Sequence, residues 1–487
     1  MTSTLPETSA SRLDALVSAS VGAARPAADA SDEDRARWLE SVAARLDLHA
    51  DELVPLADAE THLGTPRLTG ELARTTAQLR LFAAVLREGS FLEATIDHAN
   101  PDAIPAHGDL RRLLVPLGPV AVFAASNFPF AFSVAGGDTA SAFAVGCPVV
   151  VKAHPGHPRL SQRVAALVTE SLADAGAPEG LFGLIEGVDA GIALVEHPAI
   201  RAAGFTGSVA GGRALFDRAA GRPSPIPFYG ELGSVNPVVV TAAAAEARGT
   251  ELAQGLAASF TQGAGQFCTK PGVVFVPSGV GFEDAVVAAV PDLAATLLTP
   301  AIRAGFGRGL AALAAESGVT VLAGDAAQDT DVVEAGPVVL ATDVAAAVAH
   351  PAALLEECFG PVTLLVRYDT PEELLRGVRA VPGSLTATLH AQPDEDLADL
   401  VAALRDRAGR LLFAGWPTGV AVTWSQHHGG PYPSTTSIHT SVGSTAARRF
   451  QRPVAYQDAP AALLPAALRD DNPLGIVRRV DGVLGLA

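Results

Sequence analysis

Cysteine is almost missing from this chain: three in 487 residues, Cys147, Cys268 and Cys358. So few, with no C-x-x-C pair, they exclude a disulfide framework and a thiolate zinc site, and leave at most one to carry chemistry. Positive charge is scarce as well. Lys+Arg 34 against Asp+Glu 52 gives a net charge of -18, which repels nucleic acid and anionic membrane, so neither is expected as a partner. Long apolar runs are lacking: the stretch 113–125 is too short to span a bilayer and is broken by Pro and Gly. Residues 1–14 lack the charged-then-apolar pattern of a signal peptide, and a cytoplasmic location is expected. Apolar residues are plentiful, 49% against 18% charged, which excludes disorder. At ~150 residues per domain the length points to about three domains.

Residues 31–86 show helical periodicity, with Trp38, Leu39, Val42 and Leu46 on one face. The polar, Pro-bearing stretch 93–112 reads as an extended excursion outside the core. An alternation of short apolar runs and helical segments follows: strand 120–125, helix 132–144, strand 148–152, helix 160–175, strand 181–185 and helix 190–196. Such alternation predicts a parallel α/β sheet that binds ligands at the carboxyl ends of its strands. A second α/β rhythm runs from Pro237 to about Val366, and the Ala run 242–245 reads as helix.

Three segments carry candidate chemistry. In Phe-Thr-Gln-Gly-Ala-Gly-Gln-Phe-Cys at 260–268, two glycines let the backbone approach a ligand and aim amides at one spot, so Cys268 is a candidate nucleophile. A free cysteine taken alone is more often a small buried hydrophobe. In Phe-Tyr-Gly-Glu-Leu-Gly-Ser-Val-Asn at 228–236, Glu231 is a candidate general base, or else a turn carboxylate. In Phe-Ala-Ala-Ser-Asn-Phe-Pro-Phe at 123–130, Asn127 can donate to an oxyanion, or else serves a turn.

Together these segments resemble the aldehyde dehydrogenase superfamily. The motifs that carry the resemblance are Ser126-Asn127-Phe128-Pro129, Val151-Lys152, Phe205-Thr206-Gly207-Ser208, Glu231-Leu232-Gly233, Gly265-Gln266-Phe267-Cys268 and Glu356-Glu357-Cys358-Phe359-Gly360-Pro361. Within it, 265–272 and His-Gly-Gly-Pro-Tyr-Pro-Ser at 428–434 are similar to 2-oxoglutarate semialdehyde (2,5-dioxovalerate) dehydrogenases and NADP-dependent fatty aldehyde dehydrogenases. The resemblance implies NAD(P)-dependent oxidation of an aldehyde, 2-oxoglutarate semialdehyde foremost, through a Cys268 thioester that water hydrolyses with Glu231 as the base. Asn127 and the Cys268 amide would form the oxyanion hole. It also implies that Lys152 contacts the adenosine ribose, that Gly207 and Ser208 open a helix over the pyrophosphate, that Leu232 adjoins the cofactor, and that Glu357 and Phe359 place the nicotinamide riboside. The implied architecture is a cofactor domain at 1–233 with the excursion near 93–112, a catalytic domain at 234–425 and a C-terminal segment at 426–487, assembled as a homodimer or homotetramer. The rivals are a relative that passes the acyl group to coenzyme A, against which Glu231 argues, and a non-catalytic descendant of the fold.

In NAD-preferring relatives a Glu lies three residues after the ribose-contacting Lys and repels a 2′-phosphate. Here the segment reads Lys152-Ala-His154-Pro155, so NADP is expected to be accepted at least as well as NAD, with Lys152, His154 or Arg159 free to attract the phosphate. The plainer reading leaves His154 and His157 solvated. Phe128, Phe267 and Trp424 are candidates for an apolar aldehyde tunnel. Cys147 and Cys358 read as packing. His427 and His428 adjoin a Gly-Gly-Pro turn with no third ligand at metal spacing, so no metal is expected.

Overall fold

Val-Ala-Val-Phe at 120–123 and Val-Val-Val-Lys at 149–152 are β-branched and aromatic, and both form strands buried almost throughout. They belong to a parallel sheet ordered Phe182–Ile185, Val149–Lys152, Val120–Phe123, Ala202–Thr206, Phe228–Glu231. The order reverses beside Val120–Phe123. Past the carboxyl ends of these strands stand Asn127, Lys152, Gly207, Ser208 and Glu231, where a doubly wound sheet offers its ligand crevice. The computed structural model describes residues 7–328, 333–417 and 419–486.

The helices expected at 160–175 and 190–196 are Pro158–Asp174 and Val188–Glu196. The one expected at 132–144 is shorter, Gly137–Ala144, and 128–136 form a buried turn instead. Its backbone is claimed elsewhere: Phe130 and Ala131 N–H donate to Glu71 Oε1 at 2.8 and 3.0 Å, and a Cβ at Gly136 would crowd the Ala131 carbonyl. The amphipathic region 31–86 resolves into Asp32–Leu48, Ala50–Thr61 and Thr65–Glu88, preceded by Ala10–Asp29.

A second sheet of seven strands has the order Thr320–Ala323, Val338–Asp343, Val362–Tyr368, Val273–Pro277, Val238–Val240, Ser384–His390, Ala408–Phe413. Only the pairing of Thr320–Ala323 is antiparallel among these. The second rhythm therefore extends beyond Val366 by two further strands. A third sheet joins the excursion to the C-terminal segment, in the order Gln451–Gln457, Leu110–Pro116, Thr95–Asp97, Arg478–Val480, Val483–Gly485. Among the described residues, no helix is long and apolar enough to cross a membrane.

Candidate active site

The Ala-rich helix Ala242–Thr261 runs into a sharp loop in which Gly263, Ala264 and Gly265 all take positive φ, 56°, 57° and 67°. At Gly265 the requirement is double, because a Cβ there would collide with the carbonyl of Gly360. The loop that leads to Cys268 thus lies directly on the segment after Glu357 and Phe359, at Gly360. Two further contacts fasten it. Asn236 Nδ2 donates to the carbonyls of Cys268 and Lys270 at 2.8 and 2.9 Å, and buried Lys270 Nζ donates to the carbonyls of Cys358 and Val362 at 2.8 Å each.

Glu231 ends its strand buried, at 3% exposure, and the C-terminal segment folds across it. Leu232 N–H donates to the Ser434 carbonyl at 2.8 Å, and Ser441 Oγ donates to Glu231 Oε2 at 2.5 Å. The same crossing brings His428 Nε2 to 2.8 Å from Glu231 Oε1 and 3.5 Å from Cys268 Sγ. One imidazole nitrogen therefore faces both the candidate nucleophile and the candidate base. Asn127, also buried, donates through Nδ2 to the carbonyl of Gln266 at 3.0 Å, two residues before Cys268, with its second N–H left over.

These groups set one another's charge. Burial alone would raise the Glu231 carboxyl, but the charge and hydrogen bonding of His428 and the Ser441 hydroxyl bring it below its ordinary value, so Glu231 is a carboxylate at neutral pH. Burial pushes the Cys268 thiol well up, and the charges of Glu231 and Glu357 push the same way against Arg410 and Arg74. Cys268, the candidate nucleophile, therefore rests as a thiol, with His428 Nε2 as its 3.5 Å neighbour. Burial and packing hold Cys147 and Cys358 at about 11.

On the cofactor side, Ser208 caps the helix Val209–Ala220 by accepting from Gly211 N–H at 3.2 Å, and Gly207 N–H donates to the Glu231 carbonyl at 3.0 Å. Leu232 fills the space beside Gly212 of that helix, and Glu357 rests against Gly233, its carboxyl pushed up by burial to about 7. Lys152 ends its strand partly buried, and Pro155 is exposed. Two of the three cationic candidates for a phosphate change character. Burial, then His157 and Lys152, hold His154 well below its ordinary value, so it is neutral, and Arg159 is paired with Glu60 at 3.2 Å. His157 is not solvated either: it is fully buried, with Nε2 2.9 Å from the Ala125 carbonyl and Nδ1 3.1 Å from Ser161 Oγ.

The family model described as "Aldehyde dehydrogenase family" matches residues 1–451. The chain belongs to the aldehyde dehydrogenase family. It is 47% identical over 473 residues to alpha-ketoglutaric semialdehyde dehydrogenase 2 of Azospirillum brasilense, covering 94% of this chain and 90% of that protein. To the alpha-ketoglutaric semialdehyde dehydrogenase of Acinetobacter baylyi it is 42% identical over 462 residues, 93% and 88% of the two chains. The fold matches the crystal structure of aldehyde dehydrogenase 21 from Physcomitrella patens at a TM-score of 0.78 and 20% identity, over 94% of this chain and 92% of that one. As a member of the family this enzyme oxidises an aldehyde with NAD or NADP.

In this aldehyde dehydrogenase, Phe128 and Phe267 meet edge to face at 5.3 Å in an apolar cluster with Phe132, Val420 and the flank of Cys268. Trp424 does not join them: it is 47% exposed, and Val420 is the member that the same loop contributes to the cluster. His428 was expected in a turn role without a third metal-spaced neighbour, yet the fold places Glu231, Cys268 and His428 with donor atoms all within 4.8 Å of one another. Such a trio can share a cation, which would silence the thiol. The groups that sequence reasoning missed are His428, Ser441, Asn236 and Lys270. Only His428 had a signal, its place in the 428–434 motif. The others are reached through the fold alone.

Proposed function

We propose that this aldehyde dehydrogenase oxidises 2-oxoglutarate semialdehyde to 2-oxoglutarate through a thioester on Cys268. The observation that carries the chemistry is the meeting of Cys268 Sγ, His428 Nε2 and Glu231 Oε1. The substrate rests on the two relatives named for it. The Cys268 thiol gives its proton to solvent, Sγ adds to the aldehyde carbon, and Asn127 Nδ2 with the Cys268 N–H holds the oxyanion. A nicotinamide dinucleotide along Lys152, Gly207, Ser208, Leu232, Glu357 and Phe359 supplies the hydride acceptor. Water then attacks the thioester while Glu231 takes its proton.

NADP is accepted at least as well as NAD in this reading, since Pro155 stands where a repelling carboxylate would be. With His154 neutral and Arg159 paired, Lys152 is the cation left for the phosphate. The residues 1–233 form the cofactor domain, 234–425 the catalytic domain, and the excursion with 426–487 joins copies of the chain into a homodimer or homotetramer. The third sheet supports this, with strands Gln451–Gln457 and Val483–Gly485 at its edges and Val483 and Leu484 exposed. The deciding experiment ranks kcat/KM over 2-oxoglutarate semialdehyde, succinate semialdehyde and long-chain aldehydes with both cofactors. A faster fatty aldehyde would overturn the substrate. An NAD advantage of about a hundredfold, roughly 2.7 kcal/mol, would overturn the cofactor reading.

A further inference from the structure

The helix Thr65–Glu88 turns Arg67, Glu71 and Arg74 toward the turn that carries Asn127. Spacing of four and then three residues puts them on one face. Glu71 lies between them: its Oε1 accepts from Phe130 and Ala131 N–H, its Oε2 is buried without a hydrogen-bond partner, and its charge acts on both arginines. The two arginines are not fully used. Arg67 donates through Nη2 to the Asn127 carbonyl at 2.6 Å and lies over the rings of Phe128 and Phe267, 5.2 and 4.5 Å from their centroids. Its Nε and Nη1 are buried without a partner. Arg74 donates through Nε to the Val420 carbonyl at 2.8 Å and lies 5.3 Å from the ring centroid of Phe132, whose ring is 6.1 Å from that of His428. Both of its terminal nitrogens, Nη1 and Nη2, are buried without a partner.

Arg35, Arg407 and Arg410 each leave Nε alone buried without a partner, and some other buried guanidinium groups spend all their nitrogens. Arg449 does so, with Nη1 on Asp138, Nη2 on Ser141 and Nε on the Ala446 carbonyl. Arg111 does so too, on Asp109, Asp470 and the Leu468 carbonyl. Buried donors left without a partner call for an explanation, and the free terminal edge of Arg74 has the shape of a carboxylate receptor. Phe128, Phe132, Phe267 and Val420, which the arginines flank, form the apolar wall against Cys268. Resting on the proposed substrate, the geometry points to Arg74, with Arg67 beside it, as the site that grips the substrate's carboxylate while Cys268 attacks its aldehyde. The five-carbon keto acid has four C–C bonds of about 1.5 Å between these two ends, so an anionic aldehyde of another length would not reach both ends alike. Both guanidinium groups stand within Coulombic reach of Cys268.

The test is the preference of the enzyme, the ratio of kcat/KM for 2-oxoglutarate semialdehyde to that for pentanal, in wild type, Arg74→Gln, Arg74→Lys and Arg67→Gln. Arg74→Gln is expected to lower the preference about a hundredfold, mainly through KM, and Arg74→Lys, which keeps the charge and loses the fork, by less. Glutarate, which has the carboxylates and no aldehyde, is expected to inhibit wild type competitively and Arg74→Gln far more weakly. Arg67→Gln gives an independent reading should Arg74→Gln not fold. If the arginine variants lower both aldehydes by one factor, the carboxylate site falls and the proposed substrate stands. If wild type oxidises succinate semialdehyde but not 2-oxoglutarate semialdehyde, and Arg74→Gln erases that preference, the substrate falls and the site stands.

Discussion

If Glu231 is the hydrolytic base proposed above, replacing it by Gln should separate the two halves of the reaction. The amide keeps the carboxylate's shape and one acceptor, so Ser441, now 2.5 Å from Oε2, retains a partner, while the contact with His428 at 2.8 Å loses its charge. Exchanging a charge-assisted contact for a neutral one costs about 1–2 kcal/mol of stability, small enough for the variant to fold. The effect on Cys268 has the opposite sign. The Glu231 charge is one of the influences holding the thiol high, so its removal eases formation of the thiolate. Acylation should therefore proceed, and deacylation should lose a general base worth about 10²–10⁴ in rate, roughly 3–5.5 kcal/mol of barrier. Rapid mixing with aldehyde and cofactor, followed by absorbance of the reduced nicotinamide, should show a burst near one equivalent per site and then turnover slowed by that factor. A burst lost in proportion to turnover would refute this, and would mean that Glu231 acts by driving His428 to take the Cys268 proton.

Cys268→Ala should abolish oxidation and leave cofactor binding, followed by fluorescence titration, within about twofold of wild type. His428→Asn removes the neighbours that most lower the Glu231 carboxyl, so that carboxyl should rise. A group held low contributes stability that is present above its ordinary range and lost as pH falls through the lowered value, so the acid limb of the kcat profile should move to higher pH in the variant. An unmoved limb would show that His428 does not set the Glu231 charge. Gly265→Ala places a Cβ against the Gly360 carbonyl and asks Ala for a φ of 67°, which costs about 1–2 kcal/mol before any clash. It should lower Tm and slow alkylation of Cys268 more than Gly279→Ala, also at positive φ but with nothing near.

What could be read from the sequence follows the range of the physics involved. Val149–Lys152 and its neighbours were legible because β-branched runs and their flanking turns are local signals. Cys268, Glu231 and Asn127 stood out as motifs, and the fold brings the first two together across His428. The helix placed at 132–144 was not, because Glu71, some sixty residues earlier, takes the amides of Phe130 and Ala131. Arg67 and Arg74 were invisible for the same reason: their approach to Phe128, Phe132 and Phe267 is created by tertiary packing. His428 read as turn chemistry because its partners lie 197 and 160 positions away, at Glu231 and Cys268.

The strap at 428–441 gives the enzyme an order of completion. Cys268 and Glu231 are in place once two α/β sheets exist, but the imidazole and the hydroxyl that address the buried carboxylate come from later in the chain. Strand Gln451–Gln457, which follows the strap, is pinned to Leu110–Pro116. A growing chain thus carries Cys268 and Glu231 long before it carries the imidazole and the hydroxyl that address that carboxylate. The candidate site is therefore completed by the same docking step that pins Gln451–Gln457 to Leu110–Pro116 and finishes the third sheet.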